Sequence, residues 1–247
     1  MRIHVYSICW NEAALLPHFL RHYRFAENIV IYDHNSTDDS VAIMRSFPNT
    51  TPRMLPFSDE IHEDHYLTIK NHAYHESRGQ ADFVIIVDID EFVHHPYLLD
   101  LLRHYKTKGI TLPKIKGYNM VSERFPEGHE AILCAVRHGV PDDVDMDGYL
   151  NAYGKRCVFH PSIDINYEPG CHECHPQGEV RESETAEIKL LHYKYLGLDY
   201  TLQRFAAYKQ RLSEENIKQG WGFQYRWSED RIVDLFNTMR EKVVQVL

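Results

Sequence analysis

The sequence has no apolar run approaching the roughly 18 residues that a membrane-spanning helix needs, so no span is expected in its 247 residues. It has no basic excess either: 27 Lys and Arg stand against 36 Asp and Glu, a net charge of −9 spread along the chain. Without a cationic footprint, nucleic acid is not expected as a partner. Cysteine is scarce and unpatterned. Cys9, Cys134, Cys157, Cys171 and Cys174 are odd in number and irregular in spacing, which fits a reducing compartment better than a disulfide framework. No cationic and apolar leader precedes the strand-like start at Ile3, so a cytoplasmic location is the expectation. Repeats, low-complexity segments and an interdomain linker are also missing, which leaves one compact unit.

What is present is a regular alternation of apolar strands and helices. Ile3 to Ile8, Asn28 to Tyr32, Met54 to Phe57 and Asp82 to Val87 read as strands. Between them, Ala13 to Phe25, Ser40 to Phe47 and Asp64 to Gly79 carry apolar residues at helical spacing. Such alternation predicts an α/β fold with a mostly parallel sheet covered on both faces. Beyond Glu91 a helix is expected near Tyr97 to Lys106 and a strand around Ile110 to Ile115. A polar, loop-rich stretch follows from Ser122 to Gly148. Val158 to His160, Asp164 to Tyr167 and Ile188 to Tyr193 read as strands, and Tyr200 to Glu214 and Glu229 to Val246 as helices.

In open parallel sheets, ligands sit beyond the carboxyl ends of the strands. Three polar segments fall there: Asn11-Glu12, Asp33 to Asp39, and Asp88-Ile89-Asp90-Glu91. If the strand continues, Asp88 and Asp90 project to one face and Glu91 to the other, where a backbone-binding role is expected of it. Two neighbouring carboxylates repel unless one is protonated or a cation lies between them. A divalent ion, Mn²⁺ or Mg²⁺, that also binds substrate phosphates is the economical answer. The 17 histidines also hint at metal chemistry.

From Val5 to Phe92, the order of these motifs resembles a glycosyltransferase of the GT-A fold, family-2-like: strand plus Asn11-Glu12, strand plus DHNSTDDS, a Lys70-Asn71 helix, then strand plus Asp88-x-Asp90. DIDEF with the later HYK resembles the bacterial glycosyltransferase-like subgroup. The resemblance implies a GT-A domain over 1–247, with a nucleotide-binding half (1–110) and an acceptor half with C-terminal helices (111–247). It also implies hexosyl transfer from a UDP- or GDP-sugar to a hydroxyl on a glycan or lipid-linked acceptor, in bacterial polysaccharide synthesis, with inversion. Peripheral membrane association is compatible with that. Asn11, Glu12, Asp33, Lys70, Asn71, Asp88 and Lys194 would bind the donor. Asp88 and Asp90 would hold the metal, completed by His192, with His172 as the alternative.

The second half must also supply a base for the acceptor hydroxyl. Glu173 is the first candidate, followed by Glu123, Asp147 and Glu168. Arg211 to Trp227, with Gly220-Trp221-Gly222, has the aromatics and glycines of a sugar-binding lid. Two other classes compete. A nucleotidyltransferase could use the same sheet and acids, but no glycine-rich phosphate loop follows the first strand. A non-catalytic module could hold zinc on Cys171 and Cys174, with Cys157 or His160 completing the site, although a second C-x-x-C is missing.

Overall fold

A computed structural model describes residues 1–55, 60–146, 149–150 and 154–247 of the chain. Asp147 and the Phe57 end of the third expected strand lie outside the described residues. Strands β1 (Ile3–Cys9), β2 (Asn28–Asp33), β3 (Thr50–Met54) and β4 (Phe83–Ile86) form a parallel sheet in the order β4-β1-β2-β3. Helices α1 (Leu16–His22), α2 (Ser40–Ser46) and α3 (Glu63–His72) make the crossovers. The continuous apolar character of these strands has a direct cause. Phe83, Ile85 and Val87 join Ile3, Val5, Ile29 and Ile31 in one core, whereas Val84 and Ile86 join Tyr6 and Val30 in another. Alternate side chains thus enter two cores on opposite faces, and neither face can be polar.

The chain then crosses into a second sheet. Its elements are β5 (Glu91–His94), α4 (Leu98–Lys108), β6 (Ile115–Ser122), α5 (Ile132–Ala135) and β7 (His138–Pro141). Two-residue strands β8 (Asp145–Met146) and β9 (Tyr149–Leu150) pair with each other, and β10 (Val158–Phe159) returns to pair with β4. After β11 (Ile188–Leu196) come α6 (Leu198–Arg211), α7 (Glu214–Gln219), α8 (Glu229–Lys242) and β12 (Val244–Gln245). The second sheet has the order β12-β7-β6-β11-β5. Because β5 joins it from the first 110 residues and β10 joins the first sheet from beyond them, the two halves interleave.

Several elements differ from the expectations: the third strand runs over Thr50–Met54 and shares only Met54 with the expected Met54 to Phe57, and the helix expected over Tyr200 to Glu214 ends at Arg211. The strand expected at 110–115 begins only at Ile115, since Thr111 and Leu112 spend their amides on the Arg181 carbonyl and Pro113 has no amide hydrogen. Asp164 to Tyr167 makes only isolated bridges, Asp164 with Gln177 and Tyr167 with Cys174. The expected final helix stops at Lys242, and two C-terminal residues pair as β12 with β7.

Phe92, fully buried on β5, is where the two sheets meet. Its ring centroid lies 4.9 Å from those of His22 and Tyr193, 6.0 Å from Phe19 and 6.2 Å from Tyr23. Phe92→Ala should therefore destabilise the protein by about 3–5 kcal/mol, measured by urea denaturation. A loss under about 1 kcal/mol would mean that this contact does not bind the sheets together.

Candidate active site

The strand leading to the acids ends at Ile86, and Asp88-Ile89-Asp90-Glu91 forms a turn closed by the Glu91 amide donating to the Asp88 carbonyl at 3.0 Å. The extended geometry expected for this segment is thus replaced. Asp88 and Asp90 both line the same cleft, of ≈ 330 Å³, but each meets a different set of partners. A turn here is fixed by Glu91, whose Oε2 accepts from the Asp88 amide at 2.9 Å. That is the backbone-binding role expected of Glu91.

Asp88 is held by two ammonium groups. Lys70 on α3 donates to Oδ1 at 2.7 Å, and Lys155 donates to Oδ2 at 3.1 Å and to Glu91 Oε1 at 2.5 Å. Burial acts to raise the Asp88 pKa, but Lys70 and Lys155 outweigh it and hold the carboxyl well below the usual range. Asp90 follows the same logic with other partners. Burial raises its pKa, and Arg204 with His192 overcome that and drive it down.

Arg204, on α6, spans the cleft. Its Nη2 lies 3.0 Å from Asp90 Oδ2 and 2.7 Å from Glu12 Oε1, while Nη1 donates to Glu12 Oε2 at 3.0 Å and to the Tyr200 hydroxyl at 2.7 Å. Glu12, Asp90 and Arg204 side chains are each less than a tenth exposed. Burial pushes the Glu12 carboxyl up to about 7 despite the guanidinium.

His192 occupies β11 opposite Glu91 and Asn119 in register. Its Nδ1 lies 2.6 Å from Asn119 Oδ1. That contact fixes the ring orientation. Nε2 then lies 3.3 Å from Asp90 Oδ2. A register shift in β11 between His192 and Tyr195 follows, and both His192 and Lys194 line the cleft. Lys194 is nearly buried, with its ammonium 4.9 Å from the Phe205 ring centroid and 4.8 Å from that of Tyr225. Burial lowers its pKa to about 8.

The other expected donor residues divide. Glu12 and Lys70 line the cleft; Asn11, Asp33 and Asn71 do not. Asn11, at φ 49°, uses Oδ1 to accept from the Thr37 and Asp38 amides and so staples the loop after β2. Asn71 clamps both backbone groups of Tyr167. Asp33 accepts from the Ser36 amide through Oδ2, while its buried Oδ1 has no hydrogen-bond partner among the described residues.

The acceptor-half expectations fare differently. Glu173 is exposed and outside the cleft lining, whereas His172 belongs to that lining. Glu168 pairs with His175 and Glu123 with Arg240, both away from the cleft. Cys171 is buried, its thiol pushed up to about 11 by burial, and among the described residues neither it nor Cys174 belongs to a group of three metal-ligating side chains. The zinc module therefore lacks its ligand set there.

Several cleft residues went unread in the sequence: Lys155, Arg204, Glu63, Trp10 and Tyr208. Arg204 had a signal. Tyr200, Arg204 and Tyr208 recur every four residues, a polar-aromatic stripe on one face of α6. Arg211 stacks on the Trp10 ring at 3.9 Å, joining the end of α6 to the end of β1.

The Glu12 shift gives a pH signature. An acid near 4.5 when unfolded and about 7 when folded contributes stability that is fully present below 4.5 and is lost as the pH rises through 7. Urea denaturation of wild type and Glu12→Gln should show the wild-type advantage falling by roughly 3 kcal/mol between about pH 4 and pH 8. A difference that stays constant over that range would contradict the shift.

Among solved structures, the chain is similar to residues 1–349 of S. aureus TarS, at 14% identity and a TM-score of 0.47, covering 96% of this chain and 70% of that one. The same protein in complex with UDP-GlcNAc matches with a TM-score of 0.46 at 14% identity, over 96% and 72% of the two chains. Glucosyl-3-phosphoglycerate synthase from Mycobacterium tuberculosis, in complex with Mn²⁺, UDP and glucosyl-3-phosphoglycerate, matches at 17% identity with a TM-score of 0.34. That match covers 47% of this chain and 44% of the synthase, and the chain spans 43% of a longer TarS structure. Residues 5–167, most of the chain, match the profile of glycosyl transferase family 2, and the protein belongs to that family of glycosyltransferases.

Proposed function

We propose that the protein moves a sugar from a nucleotide-diphosphate donor to a hydroxyl acceptor, with inversion, using a divalent cation, Mn²⁺ or Mg²⁺, held by Asp90 and His192. The observation that carries this reading is the Asp90–His192 pair. His192 Nε2 lies 3.3 Å from Asp90 Oδ2, and the ring's hydrogen bond and charge lower the Asp90 pKa, so a proton lies between them that an incoming metal ion would replace. A carboxylate and an imidazole nitrogen at that distance share either a proton or a metal ion. One carboxylate and one imidazole also match the sparse protein ligation of ions that complete their shell with phosphate and water. Asp88, committed to Lys70 and Lys155, serves the donor ribose on this reading rather than the ion.

Charge balance supports the same conclusion. Glu12, Glu63, Asp88, Asp90 and Glu91 line the cleft against Lys70, Lys155, Lys194, Arg204 and Arg211, five carboxylates to five Lys and Arg. A diphosphate entering a neutral cleft gains little unless a cation comes with it. The ion supplies Lewis-acid stabilisation of the leaving diphosphate. Lys194, caged by Phe205 and Tyr225 and poorly solvated, gains most among the cations from an incoming phosphate oxygen.

For the acceptor proton, Glu63 is a better candidate than the exposed Glu173. It lines the cleft, its Oε1 accepts from the Gly170 amide at 2.9 Å, and among the described residues no Lys or Arg lies within ion-pair distance of it. Burial raises its pKa, which suits a base. Trp10, Trp221 and Tyr225 in the lining suit a sugar ring, in keeping with a glycan or lipid-linked acceptor. Exposed Phe223 in the same lining, with exposed Ile217 on α7, suits peripheral contact with the membrane that carries a lipid-linked acceptor. Five free cysteines accord with a cytoplasmic place in bacterial glycan synthesis. No helix among the described residues is long and apolar enough to cross a membrane.

Calorimetry with UDP- and GDP-sugars should give binding that needs Mn²⁺ and is lost in Asp90→Asn. Glu63→Gln should keep that binding while lowering kcat by about 10²–10⁴-fold. Nucleotide-sugar binding that is indifferent to Mn²⁺ would overturn the metal assignment, and no binding of any nucleotide sugar would overturn the transferase reading of this cleft.

A further inference from the structure

We propose that His62, Asp64 and His65 form a second metal site, apart from the Asp90–His192 pair, for a late first-row divalent ion of the Zn²⁺ or Co²⁺ type. One ligand atom from each of the three lies within 4.8 Å of the other two, and this is the one such grouping of three among the described residues. The His62 and His65 rings lie 4.9 Å apart, inclined by only 33°. Glu60 adds a carboxylate oxygen 3.6 Å from His62 Nε2.

The backbone sets up this cluster before any ion arrives. His62 is the residue before α3, extended at φ −115° and ψ 103°, and its carbonyl accepts from the amides of His65 and Tyr66 at 3.1 and 3.2 Å. That first turn puts His62 and His65 side by side at i and i+3, with Asp64 between them in sequence. The start of a helix repels cations through its dipole. Neutral imidazoles alone would not overcome that, but Asp64 and Glu60 bring two negative charges to the same end. Imidazole nitrogen selects Zn²⁺ and Co²⁺ over Mg²⁺ and Ca²⁺, and three protein ligands leave a position open for Glu60 or water.

The site has a place in the mechanics of the cleft. Ile61 donates its amide to the Arg211 carbonyl at 2.7 Å, and the Glu63 amide donates to Asn216 Oδ1 at 3.1 Å. An ion on His62, Asp64 and His65 therefore braces the turn that ties the start of α3 to the end of α6 and to α7. Ile61, Glu63 and Lys70 carry that brace into the cleft wall.

The test is isothermal titration of the untagged, EDTA-stripped full chain with Zn²⁺ and with Co²⁺, without nucleotide. One equivalent should bind in wild type and in Asp90→Asn, and binding should weaken more than about tenfold in His65→Ala and in Asp64→Asn. The Co²⁺ absorption band should vanish in the same two variants, with circular dichroism confirming that they fold. Asp64 is exposed, so Asp64→Asn keeps the test open if His65→Ala does not fold. No binding by wild type, or unchanged affinity in Asp64→Asn, would overturn the site. Because Asp90→Asn is included and no sugar donor is used, the result is independent of the proposed transfer reaction.

Discussion

The cleft depends on one buried guanidinium. Arg204 arrives from α6, far along the chain, and bridges Glu12 after β1 to Asp90 after β4. Burying three charges costs several kcal/mol for each ion, and the cost is recovered only when geometry is good and remaining donors are occupied. Here both guanidinium nitrogens contact Glu12, one continues to Asp90 and the other to the Tyr200 hydroxyl. Taking Arg204 away would leave two carboxylates facing each other out of water. The aromatic cover of Tyr200 and Tyr208 excludes the solvent that would otherwise screen them.

Lys155 is the counterpart on the other side of the turn. It ties Asp88 to Glu91, while Glu91 holds the turn itself through the Asp88 amide. The three acids of the turn, and Glu12 across Arg204 from them, are thus each paired, and the pairing keeps Asp88 and Asp90 ionised. On the proposed reading this has a functional consequence. A substrate diphosphate and its cation do not fill a gap in a negative cleft; they compete for groups already paired. Arg204 can keep both oxygens of Glu12 when it yields Asp90, and that makes Asp90 the exchangeable member of the triad.

The first half of the fold was legible because two-sided burial imposes continuous apolar strands, as in Phe83 to Val87, and crossover helices show their own period. The family resemblance, drawn from Val5 to Phe92, lies within the segment that the family profile matches. What failed was local geometry at the end of β4. Periodicity assigned Asp88 and Asp90 to one face of a strand, but the Glu91 carboxylate captures the Asp88 amide and bends the chain. The second half was less readable, since Lys155 and Arg204 owe their place to tertiary contacts across 64 and 192 positions of sequence, and Glu63 of the first half was missed because its contact spans 107. His192 and Lys194 were legible as a pair on an apolar strand. Asn11 and Asn71 were read as ligand contacts because Asn at a strand end or on a helix gives no sign of whether its amide faces a substrate or a backbone.

The central claim is that Asp90 and His192 jointly receive a cation with the donor. Diffraction from crystals grown with Mn²⁺ and UDP, collected at the manganese absorption edge, tests it most directly. The account predicts an anomalous peak in contact with Asp90 Oδ2, His192 Nε2 and the diphosphate, with Arg204 moved off Asp90 and still on Glu12. A bound diphosphate with no anomalous peak there, and Arg204 still on Asp90, would contradict it.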